Sequence, residues 1–105
     1  MYWKLFIDDE RVPVHINDWL IAKNSGEAFL MCAHYGMPIE ITFDHDLGGE
    51  DTSIVFLKML TDYMLDYKIK FPRDFKYSIH SQNPIGAENI KYRMNSLIEE
   101  LGYDD

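Results

Sequence analysis

The sequence predicts a small α/β sandwich on a mostly parallel sheet of four strands in the order 2-1-3-4. Three observations lead there. Short apolar runs alternate with longer segments of helical periodicity. Successive strands separated by helices require right-handed crossovers, which leave few topologies open. Three runs also end in charged or polar residues: Leu5-Phe6-Ile7 before Asp8-Asp9-Glu10, Ile41-Thr42-Phe43 before Asp44-His45-Asp46, and Tyr77-Ser78-Ile79 before His80-Ser81-Gln82-Asn83. In open parallel sheets the ligand crevice lies beyond the carboxyl ends of the strands.

Leu5-Phe6-Ile7 is a continuous apolar run, the pattern of a strand covered on both faces. A polar connector after Arg11-Val12-Pro13 leads to a second strand, Trp19-Leu20-Ile21-Ala22. Asn24 and Glu27 have capping-box spacing, and Gly36 with Pro38 ends the helix that follows. Ala28, Phe29, Cys32 and Tyr35 give that helix an apolar face. Ile39, Ile41 and Phe43 alternate with polar residues in a third strand. Gly48-Gly49 turns the chain into a helix from about Ser53 to Tyr67, with Phe56, Leu57, Leu60, Tyr63, Met64 and Tyr67 as its stripe and Pro72 barring its continuation. Phe75, Tyr77 and Ile79 form one face of the fourth strand; Lys76, Ser78 and His80 form the other, as suits an edge. Asn83-Pro84 reads as an N-cap with proline at the first helical position, and the last helix turns Ala87, Ile90, Met94, Leu97, Ile98 and Leu101 inward before Gly102.

The chain's 105 residues suffice for one domain and one core. A net charge of −8 argues against broad nucleic-acid binding, which needs Lys and Arg to neutralise phosphates, but is compatible with a phosphate-bearing small molecule or a single nucleic-acid end. One cysteine, Cys32, forms no internal disulfide. With no leader-like start and no run of membrane-spanning length, the expectation is a soluble cytoplasmic protein. Glu99, Glu100, Asp104 and Asp105 read as a solvated tail.

Asp8, Asp9, Asp44 and Asp46 differ from those acids because each follows residues that should be buried, and the first three form the candidate metal set. Gathered at two adjacent strand ends, three carboxylates repel one another, and a divalent cation, Mg²⁺ or Mn²⁺, relieves the repulsion. The competing reading makes one a helix cap and leaves the others solvated. His45 and His80 are the histidines at strand ends, able to exchange protons near neutral pH or simply to bond a neighbouring aspartate. His80 should point away from the apolar face of its strand, so its removal should cost little stability. Arg11 can clamp a phosphate oxygen or pair with Glu10 or Asp46. Ser81 and Asn83 precede a helix N-terminus, a natural anion site, although capping alone would account for Asn83.

The first strand with Asp8-Asp9, and Asp44 with Asp46-Leu47-Gly48-Gly49, resemble the acidic pair and phosphoacceptor strand end of response-regulator receiver domains. Ser81 falls near the receivers' hydroxyl residue. The stretch after Pro13 is too short for the usual first helix, and no fifth strand with a terminal lysine follows Leu101. The fuller pattern is similar to the cyclic-phosphate-processing receiver-like domains: Asp8-Asp9-Glu10-Arg11 with Pro13, Asp44-His45-Asp46-Leu47-Gly48-Gly49, and His80-Ser81-Gln82-Asn83-Pro84 with Gly86-Ala87. The resemblance implies a reduced, three-layer, flavodoxin-like sandwich acting on cyclic phosphates or nucleotide ends. In that reading Asp8, Asp9 and Asp44 hold the metal, Asp44, His45 and His80 carry catalysis, and Arg11, Asp46, Ser81 and Asn83 bind substrate. A covalent aspartyl-phosphate on Asp44 is a variant, and a non-catalytic module binding a nucleotide or protein partner is the alternative.

Overall fold

The computed structural model describes residues 2–104. Its strands β1 (Lys4–Ile7), β2 (Leu20–Ala22), β3 (Glu40–Phe43) and β4 (Lys76–Ile79) form one parallel sheet in the order β2-β1-β3-β4, as expected. Leu5 lies opposite Leu20 and Ile41, and Ile41 opposite Tyr77. Because side chains alternate along a strand, that register puts Leu5, Ile7, Ala22, Ile41, Phe43, Tyr77 and Ile79 on one face.

The helices α1 (Ser25–Tyr35), α2 (Ser53–Tyr67) and α3 (Pro84–Leu101) all pack on that face. Ala28 and Cys32 of α1, Phe56, Leu57, Leu60 and Met64 of α2, and Ile90, Met94 and Leu97 of α3 join the strand residues in one core. Tyr35 and Tyr67, assigned to the inward stripes, are exposed instead. The opposite face carries Lys4, Phe6, Ile21, Glu40, Thr42, Lys76 and Ser78, and no described helix covers it. Lys4 and Lys76 each approach Glu40 at 3.8 Å across it. Phe6 is buried there by rings, Trp19 edge-on and His80 stacked. The reduced receiver-like architecture is present, but in two layers rather than three. The reason is local: the β1–β2 crossover contains only a 3-10 turn at Ile16–Asp18, too short to cover the second face with a helix.

The helix ends follow the sequence signals. Asn24 accepts a hydrogen bond from the Glu27 amide at 2.8 Å, while Glu27 reaches back to the Lys23 amide. Asn83 caps α3 by accepting from the Gly86 amide at 2.9 Å, with Pro84 opening the helix. α2 stops before Pro72 can act, at Lys68, which adopts the left-handed conformation with φ 55°. Glu99, Glu100 and Asp104 are exposed to solvent, as expected, but ordered: Glu99 and Glu100 lie on α3, and Asp104 donates its amide to the Phe71 carbonyl. Asp105 lies outside the described residues. Among the described residues no helix is long and apolar enough to cross a membrane.

Cys32 faces the core, and burial pushes its thiol up to about 12. A thiol raised above its ordinary value of 9.0 contributes stability that holds below that pH and is lost as pH rises beyond it. A thiol reagent at pH 8 should therefore label Cys32 only as fast as the chain unfolds. Labelling of native protein at the rate of a free thiol would contradict this packing.

Candidate functional site

Parallel pairing places the ends of β1, β3 and β4 on one edge, and with them Asp8, Asp44 and His80. Asp8 is 1% exposed. Its Oδ1 accepts the backbone N–H groups of Glu10 and Arg11, each at 2.9 Å, so the chain turns back over the carboxylate. Its Oδ2 accepts from Arg11 Nε at 3.0 Å and faces His80 Nε2 at 3.0 Å. Burial alone would raise the carboxyl pKa. The backbone donors, His80 and Arg11 outweigh it and hold Asp8 below the usual carboxylate range.

Arg11 also reaches Asp44 Oδ2 at 3.4 Å and the His80 carbonyl at 3.2 Å, tying the three strand ends together. Carboxylate oxygens of Asp8, Asp9 and Asp44 lie within 4.8 Å of one another. Gly48, with φ +91°, passes close beside Asp9: a Cβ there would stand 3.2 Å from Asp9 Oδ2. The Ser53 hydroxyl donates to the Asp44 carbonyl, joining the start of α2 to the end of β3.

A crevice of about 560 Å³ opens at this edge, lined by acidic residues, Arg11 and the turn into α3. Asp8, Asp9, Arg11, Asp44, Asp46, Ser81 and Asn83, all named from the sequence, line it together with Glu10, Gly48 and Gln82. Asp46 accepts from Asn83 Nδ2 at 3.4 Å and lies 3.0 Å from His45 Nδ1; His45 first, then Asn83, holds its carboxyl below the usual range. The Ser81 hydroxyl accepts from the Asn83 amide at 3.0 Å, so both residues also order the entry to α3. A hollow of about 610 Å³ between α2 and α3, near Thr61, Leu65 and Tyr92, lies away from the strand ends and gathers no carboxylate cluster.

The two imidazoles do not line the crevice. His80 lies on the helix-free face, stacked on Phe6 with centroids 4.6 Å apart and planes 13° from parallel. Burial lowers its pKa against the opposing pull of Asp8, which favours the neutral ring. Asp8 can only accept, so Nε2 carries the proton and Nδ1 accepts from the Thr42 hydroxyl at 2.9 Å, which itself accepts from Ser78 at 2.8 Å. As expected, His80 points away from the apolar face of β4. Its removal would not be cheap, however, because it strips partners from buried Asp8 and Thr42. Thr42 itself escaped the sequence reading: a hydroxyl inside Ile41-Thr42-Phe43 was its only signal.

Residues 3–96 match the family described as the cyclic-phosphate processing receiver domain. The chain belongs to this family. Comparison with curated proteins and with solved structures gives no match. Membership accords with the reduced receiver-like sheet and with the three motifs that end its strands.

In this cyclic-phosphate processing receiver domain Gly86 has a steric duty. A Cβ at that position would come 2.3 Å from His45 Cγ, so the imidazole packs against the bare first turn of α3. Alanine in a helix ordinarily gains about 1 kcal/mol over glycine. Here Gly86→Ala should instead destabilise by about 1–3 kcal/mol, the scale of overpacking, as measured by denaturant unfolding. Equal or greater stability would show that His45 moves aside freely.

Proposed function

We propose that this domain is a metal-dependent phosphoesterase that processes cyclic phosphates or related nucleotide and RNA ends in the strand-edge crevice. The observation that carries the reading is the gathering of Asp8, Asp9 and Asp44 within 4.8 Å beside Arg11, at the start of α3. The donor set is carboxylate oxygen, as a hard cation requires, and Gly48 leaves room beside Asp9. Mg²⁺ or Mn²⁺ held by Asp8, Asp9 and Asp44 would neutralise charge at phosphorus and acidify a water.

The chain's own groups take the remaining tasks. Opening a cyclic diester joins a water oxygen to phosphorus and breaks one P–O ester bond, whose oxygen leaves with a proton; the product is a monoester. Arg11 is half-exposed and presents its planar fork to phosphate oxygens. Ser81 and Asn83 meet the substrate at the N-terminal end of α3, where helix amides favour an anion. His80 orients Asp8 and His45 orients Asp46, so the imidazoles serve by placing carboxylates rather than by touching substrate. The acidic charge fits one phosphate or chain end held at the crevice rather than a long nucleic-acid surface, and the single free cysteine suits a cytoplasmic setting.

The placement of the imidazoles away from the crevice also favours a second reading: a non-catalytic module that binds a nucleotide or a protein partner at the same edge.

The test is a screen of cyclic and linear nucleotides and RNA ends, with Mg²⁺ or Mn²⁺ against chelator. Turnover that chelator abolishes is expected, and Asp9→Asn should weaken metal binding at least 10- to 100-fold, the scale seen for outer partners alone. Binding without turnover would favour the module. In parallel, Mn²⁺ at 100 times its Kd should stabilise the fold by about 2.7 kcal/mol; an unchanged melting temperature would remove the metal from the mechanism.

A further inference from the structure

We infer that Thr42, backed by Ser78, is a positioning residue for the crevice: it holds the His80 ring so that Nε2 stays on Asp8. The inference rests on the reading of Asp8 as a working group of the site. Thr42 sits in the central strand β3, buried, between Ile41 and Phe43. A strand at that point needs a β-branched shape, which valine would supply equally well. The hydroxyl is what valine lacks, and it is spent wholly on the relay, 2.9 Å from His80 Nδ1 and 2.8 Å from Ser78 Oγ.

Two kinds of contact hold the imidazole, and they restrict different motions. Stacking on Phe6 fixes the plane of the ring but leaves it free to slide and turn within that plane. In-plane orientation is set by hydrogen bonds at opposite ends of the ring, Asp8 at Nε2 and Thr42 at Nδ1. Without the Thr42 hydroxyl the ring is pinned at one nitrogen only. Asp8 Oδ2 then loses a fixed donor on the side away from the crevice and keeps Arg11, a half-exposed side chain that also bonds Asp44. The crevice carboxylate is thus ordered from behind, through the helix-free face of the sheet. Removing a partner bonded directly to a metal-holding group costs about 10- to 100-fold in affinity or activity, and releasing the His80 ring takes that partner from Asp8.

The experiment compares wild type, Thr42→Val and Thr42→Ser by two measurements. One is the downfield proton resonance of the His80 Nε2–H, which persists only while the ring is held against Asp8. The other is Mn²⁺ affinity by calorimetry. The wild type should show the resonance; Thr42→Val should lose it and bind Mn²⁺ about 10- to 100-fold more weakly; Thr42→Ser should restore both. If Thr42→Val does not fold, Thr42→Ala is read in its place. A retained resonance in the valine variant overturns the inference, and so does a lost resonance with unchanged Mn²⁺ affinity. If the wild type binds no Mn²⁺, the metal reading falls, while loss of the resonance in Thr42→Val and its return in Thr42→Ser still establish that Thr42 positions His80 on Asp8.

Discussion

Asp8 is a carboxylate buried at the end of a central strand, and the need to solvate it with protein groups organises the whole edge of the sheet. An isolated charge withdrawn from water costs several kcal/mol unless donors surround it. Asp8 draws its donors from three places: two amides of the turn that follows it, the side chain of that turn's arginine, and an imidazole 72 residues further along the chain. Satisfying it therefore fixes the path of residues 8–11, the reach of Arg11 and the end of β4 together. Arg11 then bridges to Asp44, so the end of β3 is drawn into the same arrangement. One guanidinium among the five carboxylates of Asp8, Asp9, Glu10, Asp44 and Asp46 leaves the crevice acidic.

The two-layer architecture makes this arrangement possible. A helix between β1 and β2 would lie on the second face of the sheet and compete for the space that Phe6, Trp19 and His80 occupy. With only a 3-10 turn in that connection, the face closes itself with aromatic rings near its centre and with Lys4, Glu40 and Lys76 further along. His80 can then lie flat on Phe6 and approach Asp8 from behind, while the crevice stays open in front. The shortened fold and the partly buried hydrogen-bond relay are two consequences of one missing element.

Much of this was legible in the residues, for identifiable reasons. Strand order followed from crossovers and from the acidic endings of Leu5-Phe6-Ile7 and Ile41-Thr42-Phe43. The caps at Asn24 and Asn83 were visible because capping is local chemistry. The crevice lining was visible because a parallel sheet puts all strand ends on one edge. What stayed hidden depended on neighbours distant in sequence. Tyr67 fits the helical period of α2 yet lies outside the core, since the period names a face but not how far the neighbouring helices extend over it. The end of α2 at Lys68 carries no glycine to announce it.

The histidines show where pattern reading stops. Strand parity already grouped His80 with Ser78 and Lys76, away from Tyr77 and Ile79, and the structure keeps that grouping. Reading it as a crevice residue came from its place at a strand end, but position along a strand and direction of a side chain are separate facts. A strand-end residue faces the ligand edge only if its side chain bends over the end of the sheet. His80 instead follows the pleat onto the helix-free face, where Phe6 gives its ring a surface and Thr42 and Asp8 take its two nitrogens. The partners that determine this are Phe6 and Thr42, on strands remote in sequence, and neither resembles a catalytic residue. In this domain one crevice acid, Asp8, is held from the far side of the sheet, through residues whose types alone suggest only packing.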